Sequence, residues 1–344
     1  MLAGSGEECR PGPTIPTMSL RRVVTGFDPN GRAVFTHDGT APNSIEFDSV
    51  GVSEILWADR WPLELDHDPD RTSQGFPLEP PPGGVSARII RMPGVPPGTH
   101  PDETWLRVEG DDPEMPGMHA TDTLDFMVVL EGSVILGLDD GQRTINAGEC
   151  VIQRGTPHRW RAADEHGWTY FVAMLRPDPS FPVSEDHGIL MAPRRGDLPV
   201  RRVVTGTPTI DGGAVVGVNG AMSTLTDLWL TGGPVRDPAQ GGDGSAGWHL
   251  EPVGGGVSFR LIELVSDVPL ADEGWHATNT IDIDVILGGR MRLELPDGIE
   301  TELGPGDVVV QRGTNHRWSA VGAEPVRMAA VMIAASPEPL EESR

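Results

Sequence analysis

The stretch GECVIQRGTPHRWRA at 148–162 returns as GDVVVQRGTNHRWSA at 306–320, with ten of the 15 positions identical. Repetition this close reads as a duplicated structural unit. Working outward, HATDTLDFMVVLEG (119–132) returns as HATNTIDIDVILGG (276–289). Further out, GFPLEPPPGGVSARII (75–90) returns as GWHLEPVGGGVSFRLI (247–262), and RRVVTG occurs at both 21–26 and 201–206. The offset falls from 172 for the 75–90 block to 157 for the histidine block, so copy one carries 15 extra residues between Ile90 and His119. That insertion reads as a polar loop over one unit. The repeat sets the expected organisation: a disordered leader over 1–17, one domain over 18–176 and a second over 200–336. A linker over 177–199, with proline at both ends, joins the domains, and 337–344 form a tail.

Within each copy the pattern is β. FMVVLEGSVILGLDDGQRTINAGECVIQ has short apolar runs rich in β-branched residues, punctuated by EG, DDG and AG. Such runs with turn signals are strands and hairpins. No segment keeps a helical apolar period. Repeated short strands predict an all-β barrel or sandwich in each half.

Composition narrows the function. The net charge is −25, which repels phosphate backbones and anionic lipid, so neither nucleic acid nor membrane is an expected partner. All 26 basic residues are Arg. Without Lys there is no Schiff base and no phosphate-loop lysine. Two cysteines, Cys9 and Cys150, are too few for a disulfide framework. No apolar run approaches the ~20 residues of a membrane span. These features fit a cytoplasmic, reducing location and a small-molecule partner. They set no oligomeric state.

In an extended strand, side chains two apart share a face. His119 and Thr121 therefore point one way. Met127 and Val129 should face the core, which turns Asp125 inward with them. His158 follows 33 residues after Asp125. Copy two supplies His276, Thr278, Asp282 and His316 at matching places. These motifs resemble those of the cupin superfamily, H-x-H-x(3,4)-E-x(6)-G followed by P-x-G-x(2)-H. Here they read H119-A-T121-DTL-D125-FMVVLE-G132 with Q-R-G155-T-P-H158, and H276-A-T278-NTI-D282-IDVILG-G289 with Q-R-G313-T-N-H316. The resemblance covers both copies, as in a bicupin, and implies two tandem jelly-roll-like β-barrels with the site inside.

The departures bear on chemistry. Thr121 and Thr278 stand where the family has a second metal-binding histidine, Asp125 and Asp282 stand for its glutamate, and Arg154 and Arg312 for its proline. Two His and one carboxylate per barrel still match the facial triad of non-haem iron. The expected metal sets are His119, Asp125 and His158, and His276, Asp282 and His316, with one divalent Fe, Mn or Zn ion per barrel. A metal-free site, in which His and Asp exchange protons or satisfy each other, is an equal alternative.

His119, Asp125, His158 and Asp284 are the candidate catalytic residues. Asp284 replaces Met127 two residues beyond Asp282; it points inward as a second acid or twists out to solvent. Thr121, Thr278, Arg88, Arg260, Trp160 and Trp318 are candidates for substrate binding. The two arginines bind an anionic group or sit in salt bridges. Three functions follow: an iron-dependent oxygenase, a metal-independent lyase, dehydratase, isomerase or cyclase, and a non-catalytic ligand-binding barrel. The first barrel is the expected active one, because Met127 leaves its interior more apolar.

Overall fold

A computed structural model describes residues 20–47, 49–65, 68, 70–73, 75–108, 111–181, 190–191, 195–196, 201–213, 216–219, 223–242, 248–264 and 274–336. The leader, the tail and most of the 177–199 linker lie outside the described residues. The described chain is all β apart from three single-turn 3-10 helices. It forms two tandem β-barrels.

In the first barrel the long strand Leu124–Leu138 is central. Its first half pairs antiparallel with Cys150–Arg154 on one side and Trp168–Leu175 on the other. The sheet continues through Val85–Met92, Val50–Ala58 and Asn43–Phe47. Its second half pairs with Gly141–Asn146 and Arg159–Ala162, closing the opposite wall. The second barrel repeats the plan. There Thr280–Gly288 lies between Val308–Arg312 and Val326–Ser336, which leads on to Val257–Leu264 and Ser223–Leu230. Met291–Leu295, Ile299–Leu303 and Arg317–Ala320 form the facing wall.

The two-residue period divides the core into three. On the 124–138 strand, Leu124, Phe126 and Val128 face the second barrel, and Ile281, Ile283 and Val285 face back. Phe126 stacks on Phe259 with ring centroids 5.2 Å apart. Met127 and Val129 point into the first barrel with Val151, Val172 and Met174. Ile286, Leu293, Val309 and Met328 fill the second. The two units therefore share an apolar wall as large as either interior.

The barrels also trade edge strands, which the repeat boundaries do not anticipate. Arg21–Phe27 forms a hairpin with Ala33–Thr40, then pairs in parallel with Val308–Arg312 of the second barrel. Arg201–Val204, hairpinned to Ile210–Gly213, pairs in parallel with Cys150–Arg154 of the first. Arg22, fully buried on the exchanged strand, donates back to the Ile55 carbonyl at 3.0 Å and reaches Asp70 at 2.8 Å. Covering each barrel's edge with the other copy's hairpin removes an exposed ladder.

The motif glycines have a steric reason. Gly132 and Gly289 adopt φ of +72° and +73°, and a Cβ would lie 2.3 Å from the Gly167 carbonyl oxygen and 2.5 Å from that of Pro325. Only glycine turns the strand there. The extra loop of copy one, read as a polar loop, also carries an apolar anchor. Trp105 is buried, stacked under Arg159 at 4.0 Å and Arg161 at 5.1 Å, and Leu106 N–H donates to the Trp160 carbonyl at 2.8 Å.

Candidate functional site

The histidine pairs converge in both barrels. His119 and His158 form a two-residue antiparallel bridge, each backbone N–H donating to the other's carbonyl at 3.0 and 2.8 Å. This narrow pairing sets the rings side by side, with centroids 4.4 Å apart and a 52° tilt. His276 and His316 repeat it at 4.2 Å and 56°.

Local turns fix the tautomers. His119 Nδ1 lies 2.8 Å from the Gly117 carbonyl, and His158 Nδ1 lies 2.8 Å from the Thr156 carbonyl. A carbonyl only accepts, so Nδ1 holds the proton and Nε2 is left as an acceptor. In the second barrel His276 Nδ1 meets the Gly274 carbonyl at 2.9 Å and His316 Nδ1 the Thr314 carbonyl at 2.8 Å. There Gln311 Nε2 also lies 2.8 Å from His316 Nδ1, an approach that suits the opposite tautomer. Burial lowers His158 to about 4, with His119 adding repulsion. Burial lowers His316 to about 3, with His276 adding repulsion. Both rings are neutral at pH 7. His158 is buried and His119 half-buried, so the site opens on the His119 side.

Asp125 is inward, as the alternation requires, opposite Gln153 and Met174 on the flanking strands. Burial raises its carboxyl to about 7, opposed by a bond from Thr123 and reinforced by the charge of Glu79. Asp282 is raised to about 7 by burial, with Thr280 and Arg260 opposing. Asp284 is also buried, and burial plus the Asp282 charge raises it well above the ordinary range. The inward alternative for Asp284 is the observed one.

The expected metal sets do not assemble. Among the described residues, no three His, Cys, Asp or Glu side chains are grouped to hold a metal ion. The histidines meet, but among the described residues neither Asp125 nor Asp282 is grouped with its histidine pair closely enough to hold a metal ion. Asp125 Oδ1 is buried without a hydrogen-bond partner, as is that of Asp282. The residues present therefore do not fit a three-donor centre.

The other candidates divide. Thr121 and Thr278 are buried and accept from Thr123 at 2.9 Å and Thr280 at 2.7 Å. Trp160 and Trp318 stand edge-on to the second histidines, at 5.8 and 5.7 Å. Trp160 also stacks on Trp168 at 6.2 Å. Arg88 and Arg260 lie in buried ion pairs, with Glu54 at 3.2 Å and Asp227 at 2.5 Å. That is the salt-bridge alternative, and it leaves little charge for an anionic substrate. Two clefts of about 740 and 730 Å³ lie elsewhere. The first runs between the barrels past Arg21, Arg201, Glu149 and Asp307, and the second is an outer hollow at Trp57 and Glu79.

Sequence reasoning passed over Gln153 and Gln311. Each is almost fully buried and ties its amide to the turn before the second histidine. The signal was present: a polar residue shared by both copies at the end of the apolar runs CVIQ and VVVQ.

Comparison with known proteins places the chain among the following relatives. The AraC-like ligand binding domain family matches residues 100–191, which include His119, Asp125 and His158. Phomopsin biosynthesis cluster protein C' of Diaporthe leptostromiformis is 29% identical over 156 residues, 44% of this chain and 75% of that protein. Cupin-domain-containing oxidoreductase srdD of Neurospora crassa is 28% identical over 43% of this chain and 70% of its own length. Cupin-domain-containing oxidoreductase fogC of Aspergillus ruber is 31% identical over 42% and 66%. These matches support the cupin superfamily. Among solved structures, a putative glyoxylate induced protein from Pseudomonas aeruginosa aligns with TM-score 0.46 and 10% identity, over 87% of this chain and 86% of that one. No helix among the described residues is long and apolar enough to cross a membrane.

Proposed function

We propose that this chain is a bicupin small-molecule enzyme that works by proton transfer in its first barrel, without metal. The reaction class is that of a lyase, dehydratase, isomerase or cyclase. The observation that carries this is the His119–His158 pair, each ring pinned through Nδ1 with Nε2 free, in the barrel that also buries Asp125. His158 stays neutral and is suited to take a proton at Nε2. Asp125, balanced near neutral pH, is suited to return one. Trp160 excludes water beside the base. Acidic composition supports a small-molecule partner rather than nucleic acid or membrane.

The names of the relatives favour a second reading, a metal-dependent oxidoreductase. In it His119 and His158 would supply the nitrogen ligands for iron, manganese or zinc, with Asp125 brought in as the third. One experiment separates the two. Turnover is measured with and without oxygen, before and after chelation, with metal content determined on the same samples. The acid–base reading expects full activity in chelated, oxygen-free samples. Activity lost on chelation and restored by iron or manganese replaces it with the second.

A further inference from the structure

The first barrel leaves buried hydrogen-bond acceptors with nothing to accept. Asp125 and Gln153 are partners across the ladder between strands 124–138 and 150–154. Side chains so placed start about 5 Å apart on one face. Asp125 is 7% exposed and Gln153 2%, and Asp125 Oδ1 and Gln153 Oε1 both lack a partner. The amide cannot simply turn over. Gln153 Nε2 donates to the Thr156 carbonyl at 2.8 Å and its hydroxyl at 2.9 Å, so a flip would set two carbonyl oxygens against each other. His119 and His158 add two Nε2 acceptors, because their Nδ1 atoms are committed to carbonyls. Arg88 Nε is unpaired as well, yet that guanidinium's charge is matched by Glu54 and its Nη1 is spent on the Pro77 carbonyl at 2.7 Å. Met127, Val129, Val172 and Met174 pack on the same side, and the buried Tyr170 phenol lies near both Asp125 and Arg88.

We infer that the first barrel binds an uncharged organic molecule that presents at least two hydroxyl or N–H donors, to Asp125 and Gln153, and that it rejects carboxylates. Buried acceptors are paired in folded proteins, and a donor-bearing ligand completes these. A carboxylate brings only acceptors to these acceptors, and the charge of the neighbouring Arg88 is already matched by Glu54. The inference rests on the proposed site in the first barrel and names what it holds.

The test uses two matched probes on the full-length protein. Resorcinol carries two meta hydroxyls; 3-hydroxybenzoate replaces one of them with a carboxylate. Binding at pH 7.5 is followed by calorimetry and saturation-transfer NMR. Resorcinol should bind at least about tenfold more tightly, because a site built to pair donors discriminates strongly. In Asp125→Asn the new amide N–H serves Gln153 Oε1 directly, so resorcinol should weaken about tenfold while thermal stability does not fall. If Asp125→Asn fails to fold, Gln153→Met removes one acceptor and should weaken resorcinol likewise. Preference for 3-hydroxybenzoate, binding of neither probe, or unchanged binding in the variant overturns the inference. The last result would mean that Asp125 already donates its own proton to Gln153. The acid–base reading is judged separately, by turnover of His158→Ala. Loss of that turnover together with failure of the probes would remove the ligand class and leave the proton-transfer reading standing.

Discussion

The two barrels share a scaffold and differ in what they bury on it. Two residues past the inward aspartate, the first has Met127 and the second Asp284, both below 5% exposure. The first therefore continues as an apolar floor, whereas the second encloses two carboxyls on one strand face. The loops differ too: only copy one has the insertion that wedges Trp105 beneath Arg159 and Arg161. The histidine surroundings diverge as well. Gln153 and Gln311 are both tied to the turn before the second histidine, and Gln311 Nε2 in addition touches His316 Nδ1. Duplication kept the pinned histidine pair and let the layer beneath it change, so the chemistry of each pocket is set by that layer.

The largest expected effect tests whether that difference assigns the activity. His158→Ala should lower kcat/KM by about 10²–10⁴-fold, the range of a lost general base, and His316→Ala should stay within a few-fold. The reverse result would move the active site to the second barrel, and equal losses would erase the distinction. In the wild type, kcat/KM should rise with pH through about 4, as His158 loses its proton, and fall through about 7, as Asp125 ionises. Asp125→Asn should lower kcat/KM across the range, and the activity that remains should lack the alkaline limb.

Next comes the wall the barrels have in common. Phe259→Ala removes the ring stacked on Phe126 and should cost about 3–5 kcal/mol in urea unfolding. Because the core is shared and edge strands are exchanged, both barrels should still unfold in one transition. Two separated transitions would show the barrels to be independent units, and the comparison would then be between two proteins in one chain.

A smaller effect isolates Asp284. Its folded pKa lies well above the unfolded value of 3.8, so between those limits the native state binds more protons and stability falls as pH rises. Asp284→Met, which copies the first barrel, removes that penalty. The gain should be present at pH 7 and vanish below the unfolded pKa. A variant equally stabilised at pH 3 and pH 7 would show that packing, not ionisation, separates the two interiors.

Much of this was legible in the sequence. The repeat located both barrels, and alternation on DFMVVL turned Asp125 inward because a misfaced strand would expose Phe126 or Met127. The histidines, far apart in sequence, were matched through their motifs. Three things were not legible. The edge exchange is invisible because RRVVTG pairs equally well with either copy of VIQ or VVV; only the geometry of the shared wall selects the other barrel. Whether the aspartate groups with the histidines depends on where the strands cross the barrel, which spacing does not measure. Glu54 and Asp227 gave no sequence signal as ion-pair partners, since they lie 34 and 33 residues from Arg88 and Arg260 and differ from each other in type.

The smallest effect tests how closely the exchanged edges match. Cys150 pairs with Arg202 of the incoming strand, and Val308 holds the same place against Arg22. Cys150 is fully buried, and burial raises its thiol far above the usual range. The thiolate that would react is therefore not formed. In a Cys9→Ser background, native protein should resist thiol reagents until it unfolds. Cys150→Val makes the first edge copy the second with a near-equal volume, so it should change stability by less than about 1.5 kcal/mol. A larger loss would mean that the two exchanged edges pack differently despite identical RRVVTG strands. Rapid labelling of the native thiol would show that the 201–204 strand opens from the first barrel. The matching test on the other edge is Val308→Cys, which should be equally silent to the reagent.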